Sequence, residues 1–239
     1  MRIDIYLTQN YDIQSRNKAH ELIKAKKIKI NGTIITKPSF KIENDEVNLE
    51  ILEDDFYVSR SAYKLKYFLN EFQDIKLKDK IALDIGSSTG GFTQILLQKD
   101  VKSVICVDVG SNQLHDSIKN NPKITMCENT DIRKFNSNLK FDVITCDISF
   151  ISIHNILDDI NNLAKDEIII LFKPQFEVGV DVKRNRAGVV QDDKAISNVT
   201  TNFINETSNL GWKLVHRQLS EVKGKEGNIE ELFYFKLNL

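Results

Sequence analysis

Ile81-Ala82-Leu83-Asp84-Ile85-Gly86-Ser87-Ser88-Thr89-Gly90-Gly91-Phe92-Thr93 is the stretch on which the fold turns. Ile81, Ala82, Leu83 and Ile85 form a short apolar run that reads as a buried strand, and Gly86 ends it. Ser87 to Gly91 make a small turn. Phe92, Ile95, Leu96 and Leu97 then open an amphipathic helix. Glycines let a backbone approach a ligand closely, and a helix start offers unpaired N–H groups, so the unit is a cradle for a small cofactor. The spacing is not the dinucleotide pattern G-x-G-x-x-G, and no Gly-Lys-Ser/Thr follows, which disfavours a phosphate-cradling loop. What remains is Asp-x-Gly-x-x-x-Gly-Gly, with the acidic Asp108 ending the next strand. That arrangement suits a ligand with an amino-acid tail and a ribose, and S-adenosylmethionine (SAM) is such a ligand.

Downstream of this unit the chain alternates strand and helix. Strands are expected at 81–85, 104–108, 124–127, 142–147 and 168–173, separated by runs long enough for crossover helices. The fold class is therefore α/β, a mostly parallel doubly wound sheet of Rossmann-like type. Ligands of such sheets lie beyond the carboxyl ends of the strands, which here carry Gly86, Asp108, Asp131, Asp147 and Lys173. After Lys173 a long loop, 174–190, carries Lys183, Arg184 and Arg186 and reads as a substrate-facing flap. Ile196, Val199, Phe203 and Ile204 mark one more helix. Trp212–His216 and Leu232–Leu237 read as closing strands joined by the loop 224–230, with Trp212 in the core.

Upstream, Ser59 to Leu65 start a helix whose buried stripe is Ala62, Leu65, Phe68, Leu69 and Phe72. By pattern alone Lys64, at the edge of that stripe, is a snorkelling surface lysine. Residues 53–58 read as a linker, and residues 1–52 as a separate small α+β module. Its first helix begins within Met1–Leu7, and Ser15 is the N-cap of a second with Ala19, Leu22 and Ile23 on one face. Asn31-Gly32 between Ile28-Lys29-Ile30 and Thr33-Ile34-Ile35 signals a two-residue hairpin, and 47–51 supplies a further strand. The net charge of −1 over 239 residues hides an uneven split: residues 1–42 hold nine Lys/Arg against three Asp/Glu. A basic helix beside a small sheet suits phosphate contacts. Cys106, Cys127 and Cys146 fall in predicted core strands without disulfide or metal spacing, and the four histidines show none either. With no signal peptide or membrane-spanning run, a soluble cytoplasmic protein is expected.

Taken together the chain resembles the TlyA (haemolysin-A-like) family of ribosomal RNA 2′-O-methyltransferases, which joins an S-four RNA-binding module to an FtsJ-like methyltransferase domain. The resemblance rests on Ser15-Arg16-Asn17-Lys18-Ala19 and Lys29-Ile30-Asn31-Gly32 in the module. In the larger domain it rests on 58–65, 83–93, 107–110, 147–152, 173–179, 188–190 and 227–230. It implies SAM as cofactor and a cytidine ribose of ribosomal RNA, in the large subunit, as substrate. Lys64, Asp147, Lys173 and Glu230 match the family's Lys-Asp-Lys-Glu tetrad. A Ser-Pro pair usual before the last motif is Ser220-Glu221 here, which makes Glu231 a competitor for Glu230, although strand alternation turns Glu231 to the other face.

The resemblance also implies how the cofactor is held. Asp84 and the turn Gly86, Ser87, Ser88, Thr89, Gly90, Gly91 and Phe92 would surround its methionyl part, with the Asp84 carboxylate near the α-amino group. Asp108, beside Val109, would take the ribose hydroxyls. Asp131, beside Ile132, would take the adenine amino group, and Asp147 lies next to the cofactor as well. The expected RNA contacts are Arg2, Arg16, Lys18, Lys24, Lys26 and Lys27 in the module, with Arg60, Lys183, Arg184 and Arg186 in the larger domain. Lys173 would stabilise charge on the attacking 2′-oxygen or act as base. Other chemistries fit less well. Exocyclic-amine methylation uses Asn/Asp-Pro-Pro-aromatic where this chain has Asp147-Ile148-Ser149-Phe150, and Cys146 lacks the Pro-Cys setting of carbon-5 methylation. A non-catalytic assembly factor would not need both pocket and tetrad. A membrane-active haemolysin would need an amphipathic or spanning segment.

Overall fold

A computed structural model describes residues 1–10, 13, 15–42, 48–52 and 57–237. The chain divides into two compact units, Met1–Phe56 and Tyr57–Leu239. Val47 and residues 53–56 of the expected strand and linker lie outside the described residues. Tyr57 and Val58, assigned above to the linker, are instead buried, and Tyr57 belongs to a core cluster of the second unit.

The first unit packs helices α1 (Ile3–Asn10) and α2 (Arg16–Lys24) with strands β1 (Ile28–Ile30), β2 (Thr33–Ile35) and β3 (Leu49–Ile51). The sheet is antiparallel with order β2-β1-β3. Ser15 caps α2, its hydroxyl accepting from the Lys18 amide at 3.2 Å. The hairpin forms where expected because Asn31 and Gly32 both adopt positive φ, +48° and +82°, as a primed turn requires. Ile3, Leu7, Ala19, Leu22, Ile23 and Ile28 lead the core. Among them sits Asp4, fully enclosed and bonded by Arg2, Arg16 and His20. Burial pushes this carboxyl upward, but the bonds from Arg2, His20 and Arg16 outweigh it and hold Asp4 well below the usual carboxylate range.

The second unit is a seven-stranded sheet with helices on both faces. In chain order it runs α3 (Arg60–Glu71), β4 (Ile81–Ile85), α4 (Gly91–Gln98), β5 (Ser103–Val107), α5 (Asp116–Lys119), β6 (Ile124–Cys127) and β7 (Phe141–Cys146). There follow α6 (Leu157–Leu163), β8 (Ala164–Phe172), α7 (Pro174–Glu177), α8 (Asp193–Asn209), β9 (Trp212–Leu219) and β10 (Glu231–Leu237). The sheet order is β6-β5-β4-β7-β8-β10-β9. The first five are parallel, and β10 enters antiparallel between β8 and β9.

Alternation along each central strand explains the two-faced burial. Leu83, Ile85, Ile144, Ile168, Ile170, Phe233 and Phe235 face the layer holding α6 and α8. Ala82, Val143, Ile169, Leu171, Leu232 and Tyr234 face α3 and α4. Trp212 is in the core, 3% exposed, and its indole N–H donates to Asn161 at 2.8 Å. The strand order reverses between β4 and its neighbours β5 and β7, and that switch point opens at the carboxyl ends of the strands.

Candidate active site

A cavity of about 630 Å³ lies beyond the carboxyl ends of β4, β7 and β8. One wall is the turn after β4. At Gly86 φ is +74°, and a Cβ there would stand 2.7 Å from the Asp147 carbonyl oxygen. Only glycine satisfies both demands. The opposite wall carries Lys173 and Gln175, and the N-terminus of α3 supplies Ser59, Arg60, Ser61 and Lys64. The turn 223–230 closes the fourth side.

Two ion pairs occupy the floor. Lys173 Nζ stands 2.6 Å from Asp147 Oδ1 and donates to Ser149 Oγ at 2.8 Å. Asp147 Oδ2 accepts from the Ser61 hydroxyl. Lys64 Nζ pairs with Glu230 Oε2, and Gln175 Nε2 donates to Glu230 Oε1 at 2.9 Å. Lys64, Lys173 and Glu230 are each at most 8% exposed. Four charges in so dry a place persist because each is paired and hydrogen-bonded. Burial would raise the Asp147 carboxyl, but the Lys173 and Lys64 charges and the bonds from Lys173 and Ser61 prevail and leave it below the ordinary carboxylate range. The floor thus holds two ammonium groups and two carboxylates, neutral in sum. With two of its three N–H donors engaged, Lys173 keeps one for a further acceptor.

The model of the FtsJ-like methyltransferase family matches residues 57–237, and that of the S4 domain matches residues 1–48. A 23S rRNA (cytidine-2′-O)-methyltransferase TlyA of Campylobacter jejuni is 47% identical, the match covering 100% of both chains. The chain belongs to the TlyA family of FtsJ-like methyltransferases. Another TlyA relative, the 16S/23S rRNA (cytidine-2′-O)-methyltransferase of Mycobacterium tuberculosis, is 33% identical over 98% of this chain and 89% of its own. A solved structure described as a hemolysin of Streptococcus thermophilus superposes with a TM-score of 0.73 at 29% identity, covering 100% of this chain and 88% of that one.

Within the TlyA framework, the cavity gathers all four tetrad residues together with Gly86, Ser87, Ser88, Thr89, Gly91 and Phe92. Lys64 is not the snorkelling lysine that its helix pattern suggested; its partner lies 166 residues away. Glu231 turns away from the cavity and pairs with Arg217 at 3.0 Å.

Other expected contacts do not line the cavity. Asp84 is fully enclosed, its two oxygens accepting from Thr93 at 2.5 Å and Thr145 at 2.8 Å. Asp108 accepts the Ser88 amide at 2.8 Å and the Gly110 amide at 2.7 Å, fixing the turn from behind. Asp131 caps a 3-10 turn and pairs with Arg133, Nε to Oδ1 at 2.9 Å. Gly90 and Ile132 are buried and Val109 is 72% exposed.

Of the expected RNA cations in this unit, Arg60 lines the cavity and is exposed, whereas Lys183 and Arg186 do not line it. Arg184 lines it but spends its guanidinium on the backbone oxygens of Gln175, Gly179, Val180 and Val182. It organises the flap from inside. In the first unit Arg2 and Arg16 are tied to Asp4, and Lys27 reaches the Leu52 carbonyl at 3.4 Å. Lys24 and Lys26 are exposed on and just beyond α2, and Lys18 lies on its first turn.

Sequence reading passed over Ser61, Ser149, Gln175, Asn228, Lys223 and Lys225. Ser61 had a usable signal, three residues before Lys64 and so on the same helix face. No helix among the described residues is long and apolar enough to cross a membrane, and no cluster of His, Cys, Asp and Glu suited to a metal occurs among them.

Proposed function

We propose that this chain transfers a methyl group from SAM to the 2′-hydroxyl of a cytidine in large-subunit ribosomal RNA. The observation that carries the reading is the buried quartet of Lys64, Asp147, Lys173 and Glu230 on the floor of a glycine-walled cavity. Full-length relatedness to the C. jejuni enzyme supports the cytidine and the large subunit.

The residues fit SAM. The cavity is within the usual size of small-molecule sites, about 300–1,000 Å³. The turn Gly86 to Gly91 offers backbone and hydroxyl donors, and Ser59 Oγ, at the start of α3 in the same cavity, is buried without a partner. Bound there, SAM supplies an activated methyl group on a positively charged sulfur. The chain's own task is to orient a weak nucleophile and hold the charge that develops on it. Asp147 stays ionised and fixes the Lys173 ammonium, with Ser149 as its second acceptor. The remaining N–H of Lys173 points its charge at the 2′-oxygen as its proton departs to solvent. Glu230 and Gln175 hold Lys64 for the ribose or the adjoining phosphate.

Lys173→Ala tests this reading. Removing one preorganised donor of this kind costs about 10²–10³ in rate. Methyl transfer to ribosomal subunits, followed with tritiated SAM, should fall by at least that much. Calorimetric SAM affinity should stay within a few-fold. Full activity in the variant would overturn the assignment.

A further inference from the structure

We propose that Lys223 and Lys225 form a phosphate clamp on the rim of the cavity, seating the RNA backbone beside the ribose that is methylated. The assignment rests on the function proposed above. Six cationic side chains line the cavity: Arg60, Lys64, Lys173, Arg184, Lys223 and Lys225. Lys64 and Lys173 are neutralised by Glu230 and Asp147, and Arg184 is consumed by backbone carbonyls. Against the remaining Arg60, Lys223 and Lys225 stands a single further acid, Glu226. The rim is therefore positive while the floor is neutral, which is the distribution that draws in a polyanion and leaves the chemistry undisturbed.

The two lysines are held on a pinned turn. Lys223 and Lys225 flank Gly224, where a Cβ would stand 2.6 Å from Glu230 Oε1. The turn is closed by Gly224 N–H to Asn228 O at 2.9 Å and Gly227 N–H to Gly224 O at 3.0 Å. Asn228, 6% exposed, fastens it to the flap by accepting the Val190 amide at 3.0 Å. Both lysines are exposed, and both line the same cavity as Lys173 and Glu230. A ribose whose 2′-oxygen reaches Lys173 carries its own phosphates covalently into that cavity. A phosphate contact there positions the strand without reading its sequence. Neither lysine lies in a stretch whose pattern marked it as basic: the flap's Lys183 and Arg186 attracted that reading, and they lie away from the cavity.

The test is the salt dependence of capture of large ribosomal subunits lacking the modification, measured with the full chain. Each phosphate contact on a single strand contributes about 0.7 to the slope of log K against log salt. Lys223→Gln/Lys225→Gln should flatten that slope by about 1.4 and weaken capture on the order of tenfold at about 0.1 M salt. SAM affinity by calorimetry should not change, and Lys223→Arg/Lys225→Arg should keep the wild-type slope. An unchanged slope in a variant with wild-type melting overturns the clamp, and the two single variants answer the question if the double one melts early. A loss of SAM affinity also overturns it, assigning the lysines to the cofactor's carboxylate. Failure of the wild-type chain to methylate the subunits at all removes the underlying function, and the clamp with it.

Discussion

Asp84 shows what a single residue's surroundings can do to its charge. It pairs in register with Thr145 on β7 and Cys106 on β5, and no water reaches it. Burial pushes its carboxyl up to about 7, the bonds from Thr93 and Thr145 only partly offsetting this. Because the folded value is raised, the folded state binds more protons than the unfolded one between about pH 4 and 7, and stability falls as pH rises through that window. Asp84→Asn should abolish this slope, seen as melting temperatures that no longer decline from pH 4 to 7. The position was legible in the sequence as part of a glycine motif, but its complete enclosure was not. Leu83 and Ile85 face one layer, so Asp84 must face the helix that carries Thr93, not the cavity. For Lys64 the helix pattern alone misleads for a different reason: no local pattern reveals a partner at a strand entrance 166 residues later, and only the family resemblance set the two side by side. Ser61→Ala should leave one oxygen of Asp147 unpaired, at a cost of about 1–3 kcal/mol. A slower methyl transfer with unchanged SAM affinity would register it.

Among the elements, α7 does more than its four residues suggest. Glu177, at its end, accepts the Ser152 hydroxyl at 2.6 Å and the Ile153 amide at 3.0 Å. It thereby anchors the loop after β7 that presents Ser149 to Lys173. Glu177→Ala should cost about 1–3 kcal/mol in stability and slow methyl transfer, because two donors lose a charged acceptor and Ser149 loses its support. Denaturant titration and single-turnover transfer would measure the two effects. The strands themselves were readable, since runs buried on both faces are nearly continuous apolar text. Their lengths were not: β8 begins at Ala164 and β9 runs on to Leu219, through the polar residues Lys165, Asp166 and Glu167 in one and Arg217 and Gln218 in the other. The flap was recognisable by length and charge, yet the guanidinium of Arg184 turns inward to backbone carbonyls, a choice that loop geometry makes and composition does not record.

On the scale of the whole chain, each unit closes its own hydrophobic core. A chain of residues 57–239 should therefore melt cooperatively and keep SAM affinity while losing affinity for RNA, as calorimetry and subunit binding would show. Acid should also separate the units. Asp4, held below the carboxylate range, gives the first unit stability that is full above about pH 4 and lost as pH falls toward its depressed value. Asp84 has by then been relieved of its penalty, so below pH 4 the N-terminal transition should move down first.

The pairing of Lys64 with Glu230 has a bearing on synthesis. A ribosome that has just released Lys64 must add 166 more residues before the matching carboxylate exists, and β10 must then slot between two strands already made. Until that insertion the nascent polypeptide carries Lys64 without the carboxylate that pairs with it in the finished fold. The ion pair, and with it the last side of the cavity, therefore comes into being only when the final strand is in place.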